Sequence, residues 1–146
     1  MHNLTVPQSR RNAASNITEC DMAAYCTKWL APSTAVLSVF GEIDAANGRE
    51  FSDYVVLHLP HVREMVLDLT GVAFFGTAAF SAVRTMGARA TEQGIDWTLV
   101  PSHAVGRLLR ICDPDGVLPV EESVTAALLR LQRDPSALLQ IVAKAR

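Results

Sequence analysis

Gly76-Thr77 stands where an apolar strand gives way to a helix, in the stretch DLTGVAFFGTAAFSAV at residues 68–83. At 100° per residue, Thr77, Ser81, Arg84, Ala88, Thr91 and Glu92 fall on one side of that helix. Ala79, Ala82, Val83, Met86, Gly87 and Ala90 fall on the other, with Phe80 at the margin and Arg89 near the edge of the apolar stripe. Thr77, Ser81 and Arg84 therefore make a polar line, one turn apart, on an exposed face. A hydroxyl at a helix N-terminus is suited to carry a phosphate, because the free N–H groups and the helix dipole favour negative charge there. A phosphate on Thr77 adds about 1.5 to 2 negative charges at neutral pH and would repel a partner docked on this face. The plainer reading makes Thr77 an N-cap contributing about 1 kcal/mol and Ser81 a solvated filler.

Other residues with chemical potential are scattered. His2, His58, His61 and His103 belong to no zinc-protease, phosphate-loop or nucleophile-elbow pattern. His58 and His61, three apart at a helix end, make a weak metal pair, and surface filler is the plainer reading. Asp113-Pro114-Asp115-Gly116 has turn chemistry but too few ligands for a calcium loop. Cys20, Cys26 and Cys112 are odd in number and form no CxxC. They are expected to be reduced, Cys26 and Cys112 as small buried hydrophobes, with a redox pair of Cys20 and Cys26 as the alternative. The pattern is that of a binding protein rather than an enzyme, with no cofactor and no metal expected.

The elements that must position these residues follow from periodicity and punctuation. Residues 1–21 read as a polar, aperiodic and flexible tail. MAAYCTKWLA and TAVLSVFGEI form a hairpin turned by Ala31-Pro32-Ser33. Asp44 is the expected N-cap of a helix running to about Leu59, with Phe51, Val55 and Leu59 as its buried stripe and Pro60 as its stop. REMVLDLTGV is a third strand, apolar enough to be covered on both faces. The helix from Thr77 to about Gln93 ends at Gly94. IDWTLVP is a fourth strand and Ser102 caps a helix through HAVGRLLRIC. VLPV is a short last strand before a helix in EESVTAALLRLQR. Asp134-Pro135 opens an additional C-terminal helix, residues 133–146, whose Leu138, Leu139 and Val142 either cover the domain or join two copies.

The chain has 146 residues, 49% of them hydrophobic and 19% charged, which fits one folded domain with apolar surface available for a partner or a homodimer. A net charge of −2 gives no footprint for nucleic acid. No apolar run of 18 residues predicts a membrane span, and the N-terminus has no secretory core, so the cytoplasm is expected.

The hairpin followed by GEIDAANGREF, the strand and helix head MVLDLTGVAFFGTAAF, and WTLVPSHAVGRLLRI resemble the STAS domain of bacterial anti-sigma factor antagonists. The resemblance spans residues 22–131, and the block 22–132 is read as the domain. It implies an α/β STAS fold, a mixed four- to five-stranded sheet with helices packed mainly on one face. It implies binding to an anti-sigma factor with a histidine-kinase-like ATPase fold, itself a serine kinase, so that a sigma factor is released. Such regulators serve transcription, often in stress responses. The family's phosphoacceptor lies in an Asp-Ser-Ser/Thr-Gly-Leu segment, which here is Gly76-Thr77-Ala78-Ala79-Phe80. Thr77 matches the phosphoacceptor, with Ser81 as a second candidate, and Asp44 matches a loop position on the kinase-facing surface. Gly76 replaces the family's acid. The implied docking surface is Asp44, Gly76, Thr77, Phe80, Ser81 and Arg84. A STAS subunit of a lipid-transport ABC complex, docked on its ATPase, is the alternative function.

Overall fold

The computed structural model of the chain describes residues 15–19 and 22–131. Strands β2 (Ala23–Ala31) and β3 (Thr34–Ile43) form the expected antiparallel hairpin. Helix α1 (Gly48–His58) and a 3-10 turn (Leu59–His61) cross to β4 (Glu64–Phe75), which pairs parallel to β3. Helix α2 (Thr77–Glu92) crosses to β5 (Asp96–Pro101), parallel to β4. Helices α3 (His103–Cys112) and α4 (Val124–Leu131) follow. The mixed sheet is five-stranded, and its fifth member is not the one expected. Ser15–Glu19, placed by sequence in the flexible tail, forms β1 and pairs antiparallel with β2. VLPV contributes a single parallel bridge, Leu99 to Val120, with Leu99 N–H donating to Pro119 O at 2.8 Å and Glu121 N–H to Leu99 O at 2.9 Å. Pro119 has no N–H with which to extend that ladder. The additional helix expected at 133–146 lies outside the described residues.

Sheet order follows chain order, β1-β2-β3-β4-β5. Two parallel connections stepping the same way, each right-handed, put both crossover helices on one face of the sheet. That face holds the main core: Leu37, Val39 and Ile43 of β3, Met65, Leu67 and Leu69 of β4, and Leu99 of β5 lie under Phe51 and Val55 of α1, Val83 and Met86 of α2, and Val105 and Leu109 of α3. Phe51 meets Phe75 edge-on at 6.4 Å between centroids. The second face is covered by α4, whose Ala127, Leu128 and Leu131 pack on Leu30, Val36, Val66 and Val100. Helices are thus mainly on one face, as expected.

Two local features set the exactness of packing. A Cβ added at Gly87 of α2 would enter the indole ring of Trp97 on β5, so the glycine lets helix and strand approach closely. Thr98 on β5 is fully buried and its Oγ1 has no hydrogen-bond partner among the described residues. A buried hydroxyl without a partner costs about 1–3 kcal/mol. Thr98→Val, which keeps the shape and removes the orphan group, is expected to stabilise the domain by roughly 1 kcal/mol. A urea midpoint that fails to rise would contradict this.

Candidate partner-binding site

The loops after β3 and β4 emerge side by side at the C-terminal end of the parallel strands, where open α/β sheets form their sites. Gly76 N–H donates to Ile43 O at 2.9 Å and holds the two loops together. In the first loop, Asn47 Oδ1 accepts from Asp44 N–H at 2.9 Å, and Asn47 Nδ2 donates to Glu42 O at 2.8 Å. Asp44 Oδ1 accepts from Ala46 N–H at 2.8 Å. This closed turn delays α1 by three residues relative to a start capped by Asp44. Asp44 is therefore not its N-cap; Asn47 holds that position, and Asp44 caps the turn instead. The heads of α1 and α2 lie close, with Ala78 Cβ 3.8 Å from where a Cβ on Gly48 would be.

At the head of α2, Gly76 is the N-cap, with extended backbone (φ −86°, ψ 174°), and Thr77 is the first helical residue. Thr77 therefore does not cap the helix, and the head of α2 has no side-chain cap; its N–H groups face outward as far as Ala79 and Phe80, which bond Gly76 O at 3.1 Å. A Cβ at Gly76 would meet only ordinary contacts, the nearest 3.5 Å away on Phe74. Packing alone does not demand glycine at this position.

Thr77, Ser81 and Arg84 are all exposed, and Ala79, Val83, Met86, Gly87 and Ala90 are buried, as the periodicity predicts. Arg89, at the edge of the stripe, is exposed. Phe80 is corrected: it is only 8% exposed and belongs to the core, so its ring is not presented on the exposed face of α2. Arg84 lies over its ring, 6.0 Å from the centroid. Asp44 is half-buried beside Gly76. The structure thus gathers Asp44, Gly76 and Thr77 at one end and runs Ser81 and Arg84 away from them along α2. Further along the same helix, Arg84, Gly87, Thr91, Trp97, Val117 and Pro119 line an open groove of about 740 Å³. No helix of the described residues is long and apolar enough to span a membrane, and they contain no metal-ligand cluster of three.

Periodicity did not reveal a polar relay under α1. His58 Nδ1 lies 2.8 Å from Tyr54 O, and a carbonyl only accepts, so this nitrogen carries the hydrogen. In the neutral ring Nε2 then accepts from Thr27 Oγ1 at 2.9 Å, and Thr27 Oγ1 accepts from Tyr54 Oη at 2.6 Å. Tyr54 stacks on Tyr25 at 4.7 Å and meets His58 edge-on at 4.9 Å. His58 is consequently neither surface filler nor half of a metal pair; both ring nitrogens are committed to locking α1 on β2. Burial lowers the His58 pKa below its ordinary value, opposed by the bond to Tyr54 O and reinforced by His61. Burial also raises the Tyr54 hydroxyl. The folded state favours neutral His58, while the unfolded chain takes up its proton near pH 6.5. The stabilisation is therefore full above about pH 6.5 and is lost as pH falls through the lowered folded value. Urea midpoints should drop between pH 7.5 and 5.5, and His58→Gln should flatten that drop; an equal slope in both proteins would contradict the relay.

Residues 30–127 match the STAS domain family. The chain is 31% identical over 100 residues to the anti-sigma-F factor antagonist RsfA of Mycobacterium tuberculosis, covering 66% of this chain and 78% of that one. It is 34% identical over 97 residues to osmosensory protein A of the same organism, covering 64% of this chain and 61% of that one. A crystal structure of an anti-sigma factor antagonist from Mycobacterium paratuberculosis superposes with a TM-score of 0.65 at 20% identity, over 77% of this chain and 95% of that one. Unphosphorylated SpoIIAA superposes with a TM-score of 0.61 at 14% identity, over 73% and 95%. These two structural likenesses concern the fold.

Proposed function

This chain belongs to the STAS domain family, and from that premise we propose that it is an anti-sigma factor antagonist. It is a regulatory binding protein without catalysis of its own. It binds an anti-sigma factor with a histidine-kinase-like ATPase fold in the cytoplasm and so releases a sigma factor to direct transcription. The observation that carries this reading is the convergence of Asp44, Gly76 and Thr77 at the joined loop ends, continued by Ser81 and Arg84 along α2. The relative named anti-sigma-F factor antagonist supports it.

Thr77 is the site of control in this proposal. Its hydroxyl is exposed at the first position of a helix whose N-terminal N–H groups have no side-chain cap. A phosphate there gains from the helix dipole within the free protein and leaves a strongly hydrated dianion where a partner must dock. The gain belongs to the free chain, so modification favours separation.

An affinity pull-down from the native cell, read by mass spectrometry for partners and for phosphate on Thr77 or Ser81, tests this. Recovery of a histidine-kinase-like anti-sigma factor is the expected result. Recovery of an ABC ATPase in its place would sink the proposal.

A further inference from the structure

Phe40 and Phe74 are respectively 46% and 50% exposed, and the sheet register places them on neighbouring strands two register positions apart. Along β3, Val36, Ser38, Phe40 and Glu42 alternate onto the second face, where Val36 meets α4. β4 carries an extra residue at each of two irregularities, so Phe40 pairs with Gly71 and Glu42 with Phe74. Ile43 and Phe75, the next pair, both enter the main core, which turns Phe74 to the opposite face beside Glu42. A Cβ on Gly71 would run into the Phe40 ring; the ring therefore lies down on the strand, over the glycine. The ring of Phe74 borders Gly76, the position that also touches Asp44. The aromatic pair is thus continuous with the head of α2.

We propose that Phe40 and Phe74 are the apolar anchors by which this chain docks into an apolar cleft, rimmed by basic side chains, on the anti-sigma factor. The proposal rests on the function proposed above and extends it from the α2 head to the second face. Half-exposed aromatic rings on a rigid sheet lose little conformational freedom on docking, and such rings dominate interface energetics. Charge identifies the occupant. Glu42 and Asp44 are the ionisable residues at this end of β3 and its loop, Asp68 lies midway along β4 beside Ser38, and all three are carboxylates. A second copy docked by two-fold symmetry would set these carboxylates against themselves, whereas a basic rim complements them.

The test uses the purified anti-sigma factor recovered by the pull-down, titrated calorimetrically with the full chain. Phe74→Ala and Phe40→Ala are each expected to weaken binding about tenfold or more, with melting temperatures close to that of the parent. Leu57→Ala, at a 71% exposed apolar residue on α1, is the control and should stay within twofold. Phe74→Lys, which opposes a basic rim, should weaken binding further than Phe74→Ala and does not depend on the tolerance of a truncation. Phenylalanine variants that bind like the parent, while Thr77→Glu still weakens the complex, would overturn the anchors and leave the antagonist function standing. A parent chain that binds no anti-sigma factor would overturn both. A light-scattering mass of two copies that Phe74→Ala reduces to one would assign the patch to self-association and overturn the proposal.

Discussion

Thr77→Glu is expected to weaken the complex with the anti-sigma factor by at least tenfold while leaving the fold as stable as before or slightly more so. The two effects have opposite signs for one reason. Thr77 is exposed in the first turn of α2, where the N-terminal N–H groups favour a carboxylate by about 0.3–1 kcal/mol. The same carboxylate must shed water when a partner covers it, and desolvating an ion costs several kcal/mol that a neighbouring opposite charge repays only with well-matched geometry. Tenfold corresponds to about 1.4 kcal/mol, well within that range. Thr77→Ala, which removes the hydroxyl without adding charge, should bind nearly as the parent. Calorimetric titration and thermal melting of the three proteins read both quantities. Equal affinities for Thr77→Glu and the parent would remove Thr77 from the interface and leave its exposed hydroxyl without a role.

The largest loss of stability is expected from Gly41→Ala, roughly 3–5 kcal/mol, with a fall in melting temperature of about 10 °C or more. Gly41 has φ +101°, a conformation that side chains with a Cβ rarely adopt. A Cβ there would also collide with the carbonyl oxygen of Met22, which is held by Glu42 N–H at 2.9 Å. Backbone on both sides of the collision leaves little room for relief. The damage should reach the docking end as well, since Glu42 O is the acceptor for Asn47 in the loop that carries Asp44. Gly106→Ala is the matched contrast. That glycine lies within α3 and a Cβ would meet nothing within 4 Å, so alanine should stabilise by about 0.5–1 kcal/mol through helix propensity. Denaturant midpoints moving the same way for both variants would refute this account of the two glycines.

What could be read in the sequence was whatever depends on near neighbours. The bounds of β3, the exposed line of Thr77, Ser81 and Arg84, and the Ser102 cap, whose Oγ accepts from Val105 N–H at 3.1 Å, all follow from spacing and local chemistry. What was missed depends on residues far apart. β1 is short and its residues SNITE carry no apolar alternation, so only β2 beside it identifies it as a strand. The exposure of Phe74 rather than Phe75 is decided by the extra residues of β4, which break the strict alternation a strand would otherwise show. The His58 relay needs Thr27, 31 positions away, and no periodicity within α1 can announce it. Asp44 was the expected cap; the bonds from Asn47 back to Asp44 N–H and Glu42 O close a turn there and leave Asn47 at the head of the helix. Phe80 sat at the margin of the helical stripe, and its place was decided by how deeply α2 settles between its neighbours.

The order β1-β2-β3-β4-β5 also has a consequence in time. Each strand joins the sheet beside the one synthesised just before it, and no late strand must insert between two early ones. The sheet can therefore grow by addition as the chain leaves the ribosome, closing short loops before long ones. The second face follows a different schedule. Val36 and Val66 enter the sheet early, but their cover, α4, is the last of the described elements to be completed. For the time it takes to make the intervening residues, a sheet already formed would show an apolar face to the cell. That interval is when this chain is most exposed to aggregation, and it is set by the distance along the chain between Val66 and the helix that buries it.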